Sequence, residues 1–186
     1  SEEHWADELR ELCSAHAESL AKTLVEFASL SVTQQVDAVS AGRLRTFIPK
    51  LLDLVVASNK PVPALSRTLS IAERILRRSA YLALLNENQS ALSKLVDLCA
   101  QSQYIADQIA RHPALLDELL DPGNYSDGVG KEELAAELRQ RLDNNESLDS
   151  EAQVQIIAQY QRAAMFRIVV ADFNDMLPIM KVSDAL

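Results

Sequence analysis

The sequence predicts an all-α protein, a multi-helix bundle of one or two lobes that ends in a long central helix. Only 4 Gly and 6 Pro occur among the 186 residues, and aromatic residues make up 5%, so the turn formers and sheet-packing side chains of β proteins are scarce. Apolar residues recur instead at steps of three and four, the spacing of one helix face. Hydrophobic residues make up 48% and charged residues 24%, which is typical of a folded globular chain.

The first part of the chain predicts a series of amphipathic helices. One long helix or two consecutive ones cover 2–28, and a short helix followed by a longer apolar one covers 33–58. Pro49 interrupts the longer helix, so it predicts either a kink or a helix start. A fresh helix is predicted over 64–86, after the break at 59–63. The apolar stripe of the first stretch consists of Trp5, Leu9, Leu12, His16, Leu20, Leu24 and Phe27.

Shorter helices are predicted next, over about 90–100 and 103–111. Ser102 precedes the second of these, where its hydroxyl can accept a hydrogen bond from a backbone N–H group that has no partner within the helix. Pro113 suits the first turn of another helix, because a first-turn residue needs no N–H donor. That helix is expected to end near Leu120.

The stretch 121–131 is the clearest predicted loop, because it contains Pro, Asn, Ser, Asp and three of the four Gly residues. We expect it to separate an N-terminal helical lobe, 1–121, from a C-terminal lobe, 131–186, with 122–130 as the hinge. The C-terminal lobe would lead into a further domain that this chain does not contain.

Two helices are predicted in the C-terminal lobe, over about 131–143 and 150–176. Ser150 and Gln153 have the spacing of a capping box at the start of the second. Within it, 166–171 is rich in β-branched residues and taken alone would suit a buried strand. The apolar pattern continues on both sides, so helix is favoured, and the scarcity of polar residues predicts burial on more than one side.

Composition excludes several classes of function. The net charge of −9 and pI near 4.8 disfavour binding to nucleic acid or anionic membranes, since such affinity depends on Lys and Arg. The sequence has no secretory leader and no run of about 18 apolar residues, which predicts a cytoplasmic protein with Cys13 and Cys99 as reduced thiols.

The glycines do not form a phosphate-binding loop motif. The chain starts at Ser1 without an initiator Met, so we expect a piece of a longer protein.

No catalytic or metal-ligating pattern is recognised. His4, His16 and His112 are the only histidines, and their spacing matches no zinc motif. His16 falls on the apolar stripe, which predicts a core or boundary position for it. Several of the acidic clusters have Lys or Arg three or four positions away, as on a solvated helix surface.

Arg74, Arg77 and Arg78 form the one basic cluster in the sequence. The cluster could bind an anion or an acidic face of a partner. The more ordinary interpretation is that it ends a helix, where its positive charge complements the helix dipole.

Asp172 ends a nearly apolar run, and burying its charge without a partner would be costly. We expect a structural ion pair with Arg167 or Lys181 rather than catalysis.

Two stretches of sequence carry a family resemblance. One comprises Tyr81–Leu85 and Leu95–Ser102 and continues through Arg111–Pro122, and the other comprises Phe166–Asp172 and Leu177–Leu186. In this order and at this separation they resemble the central region of the bifunctional glutamine synthetase adenylyltransferase and adenylyl-removing enzyme family. That region lies between the family's two nucleotidyltransferase domains, and the resemblance is weak before residue 75.

The resemblance implies a bacterial parent enzyme that transfers AMP from ATP to a tyrosine of glutamine synthetase and removes it by phosphorolysis. In the family, glutamine and the PII signal protein regulate both activities in nitrogen control, and each catalytic domain holds magnesium through a Ser-Asp-Leu-Asp type motif after a Gly-rich turn. Ser183–Leu186 echoes this motif only superficially. The resemblance therefore implies no catalytic, cofactor or metal residue in this chain, and it assigns ATP and magnesium to the parent.

Two functions remain open from the sequence. The first is a non-catalytic linker that spaces the two flanking nucleotidyltransferase domains and transmits regulatory signals. The alternative is a docking module that binds glutamine synthetase or PII directly, through the acidic helices or the cluster Arg74, Arg77 and Arg78. In either case Asp172 and Lys181 are candidates for contacts between domains.

Overall fold

The computed structural model describes residues 16–120, 131–144 and 149–173, and every regular element in these ranges is helical. The prediction of an all-α bundle is confirmed. The chain divides into two compact units, 1–120 and 121–186. The loop predicted over 121–131 lies outside the described residues except for its last residue.

The described part of the first unit holds seven α-helices and a 3₁₀ helix. They are α1 (Ala17–Ser29), α2 (Ser31–Gln34), α3 (Ala38–Ala57), α4 (Pro61–Ile75), α5 (Ser79–Glu87), α6 (Gln89–Gln101), α7 (Gln103–Arg111) and the 3₁₀ helix Pro113–Leu120. The predicted helices after residue 88 are confirmed to within a residue or two at each end, although the last of them is a 3₁₀ helix.

Helix α4 is the centre of the first unit. It packs against α1, α3, α5, α6, α7 and the 3₁₀ helix. Its buried positions recur at steps of three and four and together form one broad face of the helix. The buried residues of α4 are Pro61, Ala64, Leu65, Thr68, Leu69, Ile71, Ala72 and Ile75. Each large apolar side chain among them contributes about 1.5–3 kcal/mol when it is fully buried.

The prediction of one helix over 64–86 was wrong, because α4 ends at Ile75 and α5 begins at Ser79. The buried hydroxyl of Ser40, which can donate only one hydrogen bond, lies 3.0 Å from Asp37 Oδ2 and 3.3 Å from the Leu76 carbonyl oxygen. In a continuous helix that carbonyl would accept from the N–H four residues later. The Arg78 N–H donates instead to the Ile75 carbonyl oxygen over 2.8 Å, which closes the turn between the two helices.

Pro49 lies inside α3 and does not start it. The helix starts eleven positions earlier, where the Asp37 carboxylate accepts hydrogen bonds from the backbone N–H groups of Val39 and Ser40 over 2.8 and 2.9 Å. The bonds from Ser40 and Val39 lower the pKa of Asp37. The interpretation of Pro49 as a helix start was therefore wrong, because a side-chain cap fixes the start elsewhere.

Polar contacts join α3 to α5 across their packed faces. Lys50 Nζ donates to the Asn86 carbonyl oxygen over 2.6 Å, and Asn86 Nδ2 donates to the Arg43 carbonyl oxygen over 3.0 Å. At the junction of α6 and α7, the predicted cap is confirmed, since Ser102 Oγ accepts from the Ile105 N–H over 3.3 Å. Helix ends in this unit are thus tied by side chains as well as by core packing.

The described part of the second unit consists of α8 (Lys131–Asp143) and α9 (Ser150–Phe173), which pack against each other. Asp149, not Ser150, caps α9, since its carboxylate accepts from the Ala152 N–H over 2.8 Å. The preference for helix over strand at 166–171 is confirmed. Burial on several sides is confirmed as well, for Phe166, Arg167, Ile168, Val170 and Ala171. No helix in the described ranges combines the length and apolarity needed to span a membrane.

The position of Pro49 makes a prediction about stability. Pro49 is exposed within α3, where it removes an N–H donor and crowds the carbonyl one turn earlier. We expect Pro49→Ala to raise the free energy of unfolding by about 1–3 kcal/mol, even though the unfolded chain gains entropy. Urea-induced unfolding followed by circular dichroism measures the change.

Pro63→Ala is the matched control, because Pro63 lies in the first turn of α4, where no N–H partner is lost. The control should leave stability unchanged or slightly reduced. Equal stabilisation by both substitutions would contradict the account of Pro49.

Candidate functional site

The cluster of Arg74, Arg77 and Arg78 lies where α4 ends and α5 begins. Arg74 is in the last turn of α4, Arg77 is in the turn that follows, and Arg78 is the residue that precedes α5. All three side chains are exposed. Arg74 and Arg78 line a surface cavity of about 560 Å³, whereas Arg77 does not. The structure therefore divides the cluster into two cavity residues and one neighbour outside the cavity.

The cavity is built where the C-terminal ends of α4 and α7 meet the start of the 3₁₀ helix. Packing of α7 on α4 brings a third arginine, Arg111, and a carboxylate, Asp107, to the first two arginines. Asp107 and Arg111 are four residues apart on α7, so they share one face of that helix. The lining residues are Ser70, Arg74, Arg78, Asp107, Ala110, Arg111 and Pro113.

Sequence analysis missed Arg111 and Asp107 as members of this site. Arg111 is more than thirty positions after Arg74, and the contact between α4 and α7 that joins them is a tertiary one. The only local indication was a basic residue in the last turn of each helix, Arg74 on α4 and Arg111 on α7. That feature alone is ordinary, because cations complement the C-terminal end of a helix dipole.

The cavity concentrates positive charge on a strongly acidic chain. Among the described residues, Arg74, Arg78 and Arg111 form no hydrogen bond or ion pair through their guanidinium groups. Three arginines and one acidic residue, Asp107, are thus among the described residues that line this cavity. Like charges that share one cavity repel each other, and the repulsion is reduced only by solvent, by salt or by a bound anion.

Asp107 is held in place by a chain of hydrogen bonds that starts inside the first unit. Arg67 Nη1 donates to the Cys99 carbonyl oxygen over 2.7 Å, and Arg67 Nε donates to Gln103 Oε1 over 2.8 Å. Gln103 Nε2 in turn donates to Asp107 Oδ1 over 2.8 Å. The side chain of Arg67 on α4 therefore orients the only carboxylate of the cavity through one residue, Gln103.

A second polar cluster lies in the second unit, between α8 and α9. Arg167, whose side chain is 8% exposed, contacts Glu137 Oε2 over 3.0 Å, and Glu137 Oε1 contacts Arg141 over 2.8 Å. Tyr160 Oη lies 2.8 Å from the Leu134 carbonyl oxygen and 3.1 Å from Glu137 Oε2. The guanidinium carbons of Arg141 and Arg167 lie 5.1 and 5.7 Å from the centre of the Tyr160 ring. The cluster gives the buried Arg167 a charged partner and fastens α8 to α9.

Two ionisable groups of this cluster have shifted pKa values. Burial pushes the pKa of the Glu137 carboxyl upward, but the hydrogen bonds and charge of Arg167, with Tyr160 and Arg141, outweigh it and hold that pKa below its usual value. Burial raises the pKa of the Tyr160 hydroxyl, and the neighbouring Glu137 carboxylate raises it further. Both shifts are those of a structural ion pair at a helix interface.

The predicted partner of Asp172 was either Arg167 or Lys181. The side chain of Asp172 and the whole of Lys181 lie outside the described residues, so their contacts stay predictions. Arg167 forms its ion pair with Glu137 across the α8–α9 interface. Sequence analysis missed Glu137, because 30 positions separate it from Arg167.

The remaining candidate groups are the cysteines and the histidines. Cys99 is a free, buried thiol, and burial raises its pKa to about 11, which opposes formation of the nucleophilic thiolate. His16 is exposed, so its predicted core or boundary position was wrong; α1 begins only at Ala17 and His16 precedes its first turn. His4 and Cys13 lie outside the described ranges. In those ranges, no three His, Cys, Asp or Glu side chains are grouped to hold a metal ion.

Comparison with known proteins identifies similar sequences. Residues 92–186 match the family model described as glutamate-ammonia ligase adenylyltransferase. The chain is 43% identical, over 165 residues, to a bifunctional glutamine synthetase adenylyltransferase/adenylyl-removing enzyme of Pseudomonas syringae; the match covers 89% of this chain and 17% of the relative. The enzyme of the same name from Pseudomonas aeruginosa is 38% identical over 185 residues, and the match covers 100% of this chain and 19% of the relative. This chain thus spans less than a fifth of the length of these relatives.

The Glu137 cluster predicts a pH-dependent contribution to stability. Because its folded-state pKa is lowered, Glu137 stabilises the fold above its unfolded-state pKa, and this contribution is lost as the pH falls through the folded-state value. We expect Glu137→Gln to reduce the free energy of unfolding by about 1–3 kcal/mol at neutral pH, since Arg167 loses its charged partner. The difference from the unsubstituted chain should shrink toward about pH 3. Urea-induced unfolding at the two pH values measures it.

Glu132→Gln is the matched control, because Glu132 is an exposed carboxylate on the same helix. Its effect should be clearly smaller. A loss for Glu137→Gln that is equally large at both pH values would contradict the role of its charge.

Proposed function

Because this chain belongs to the glutamate-ammonia ligase adenylyltransferase family, we propose that it forms a non-catalytic helical segment of a larger bacterial enzyme. That enzyme attaches AMP to glutamine synthetase and removes it again, as the names of the relatives describe. ATP and magnesium act in nucleotidyltransferase domains on either side of this segment, in the cytoplasm. The chain itself spaces these domains and transmits regulatory signals between them.

The proposal rests on the helical fold of this chain together with the small share of each relative's length that the chain spans. All regular structure in the described ranges is helical, and the match extends over less than a fifth of each relative. Packed helices suit a spacer, because close-packed interiors are stiff and carry a displacement from one end to the other. The family resemblance of 75–122 and 160–186 supports a position between the two catalytic domains.

The first unit has the construction that such a spacer requires. Its central helix, α4, packs against six other elements, and side chains fasten the helix ends. The hydrogen bonds of Lys50 and Asn86 join α3 to α5, and Arg67 joins α4 to the end of α6. A force applied to one helix of this unit is therefore shared among the others.

A stiff spacer alone does not explain regulation. Coupling between two sites requires an element that can adopt two conformations, and ligand binding at either site must shift the balance between them. We place that element at 122–130, which lies in sequence between the 3₁₀ helix that ends at Leu120 and α8, outside the described residues. Glutamine and PII, the regulators that the resemblance implies, would act by changing how the units on either side of it are arranged. The catalytic residues themselves would remain unchanged.

Shortening 122–130 in the parent enzyme tests this proposal. The rates of adenylylation and adenylyl removal are measured on purified glutamine synthetase, with and without glutamine and PII. Coupled sites typically change each other's affinity about 5–150-fold, and we expect the shortened enzyme to lose most of its response while both basal activities persist.

The matched control replaces the same residues with Gly and Ser at unchanged length, which keeps the reach of the connection. The control should respond more strongly than the shortened enzyme. An undiminished response to both regulators in the shortened enzyme would contradict a role for this segment in transmission.

A further inference from the structure

The cavity lined by Arg74, Arg78 and Arg111 is not used by the proposed spacer function. Its arginines meet only because α7 packs against α4, and none forms an ion pair among the described residues. We propose that this cavity binds a small phosphorylated molecule through these three guanidinium groups. The proposal is independent of whether the chain acts as a linker.

The ordinary interpretation of such arginines is that each complements the dipole at the end of a helix. This interpretation suits Arg74 and Arg111, which lie in the last turns of α4 and α7. It suits Arg78 less well, because Arg78 directly precedes the first residue of α5. Arg78 complements the dipole of α4, which ends three residues earlier, but a cation at the start of α5 opposes the dipole of that helix, so the dipoles explain its charge less well than those of Arg74 and Arg111.

Charge and geometry favour a phosphate group over other anions. Three guanidinium groups against one carboxylate leave a net positive charge of two, which the partial negative charges at the ends of α4 and α7 reduce. A phosphomonoester carries about −1.5 to −2 at neutral pH and offers three acceptor oxygens. Guanidinium groups donate to phosphate oxygens in pairs, and the exposed Ser70 adds a hydroxyl donor to the same wall. A single carboxylate ligand would use fewer of these donors.

The remainder of the ligand is indicated by the size of the cavity and by Asp107. The volume of about 560 Å³ is within the usual range of about 300–1,000 Å³ for small-molecule sites and exceeds what a phosphate ion fills. Asp107 can accept hydrogen bonds from the part of the ligand beyond the phosphate. Its orientation is fixed by Gln103 Nε2 at 2.8 Å, which Arg67 holds in turn. The ligand class is thus a phosphomonoester that carries hydroxyl groups, such as a sugar phosphate.

Calorimetric titration of the 186-residue chain tests the proposal, with inorganic phosphate, glucose 6-phosphate and gluconate as probes at constant ionic strength. Glucose 6-phosphate should bind more tightly than phosphate, and gluconate, a hydroxylated carboxylate, should bind most weakly. Arg74→Ala, Arg78→Ala and Arg111→Ala should each weaken the binding of glucose 6-phosphate by about tenfold or more, because each removes charge-assisted hydrogen bonds.

Arg77→Ala is the matched control, since Arg77 is an exposed arginine next to Arg78 that does not line the cavity. It should change the affinity by less than about twofold, because an exposed charge in high dielectric that makes no direct contact with the ligand contributes little. Circular dichroism checks that each variant remains folded. Equal weakening by Arg77→Ala and Arg78→Ala would overturn the proposal, because it would indicate diffuse attraction without a site.

Asp107→Asn tests the role of the carboxylate separately from that of the three arginines. Removing the carboxylate should tighten the binding of inorganic phosphate and reduce the advantage of glucose 6-phosphate over phosphate. Dissociation constants weaker than about 10 mM for both phosphate probes would overturn the proposal. So would binding of a poly-glutamate peptide that depends on Arg78 while neither phosphate probe binds, since the cavity would then be a docking surface for an acidic protein.

Discussion

Arg67 joins three helices of the first unit, α4, α6 and α7, through its side-chain hydrogen bonds. It extends from α4 to the end of α6, where it donates to the carbonyl oxygens of Cys99 and Ala100 over 2.7 and 3.5 Å, and it reaches Gln103 in the first turn of α7. Carbonyl groups at the end of a helix have no partner within that helix, and leaving a buried one unsatisfied costs about 1–3 kcal/mol. One side chain therefore satisfies the end of α6 and fixes the direction in which α7 leaves it.

The shape of the arginine cavity depends on this arrangement of α4, α6 and α7. One wall belongs to α4 and the other to α7, so the separation of Arg74 from Arg111 is set by how these two helices pack. The same packing makes the first unit stiff enough to act as the proposed spacer between catalytic domains. A binding site on the surface of such a spacer would also offer a route by which a small molecule alters the parent enzyme, because a ligand that bridges α4 and α7 favours one packing of the two.

Local features of the fold could be predicted from the sequence, and features that depend on tertiary contacts could not. The bounds of α6 and α7, the cap at Ser102 and the helical state of 166–171 all follow from periodicity and capping chemistry in short windows. The break between α4 and α5 was missed, because no Gly or Pro marks it, and the Leu76 carbonyl oxygen at the break lies near Ser40 Oγ, 36 positions away in the chain. The same limit applies to the cavity, since Arg74 and Arg78 formed a visible cluster while Arg111 joined them only through packing. It applies also to the pairing of Arg167 with Glu137 across two helices.

Hydrogen exchange measured by mass spectrometry on the 186-residue chain and on its Arg67→Met variant tests most directly whether α4, α6 and α7 act as one body. If they do, their amides open together, as in a cooperative unit. The substitution should then reduce protection in all three helices by a similar factor. Faster exchange confined to the end of α6 and the start of α7, with α4 unaffected, would contradict this account.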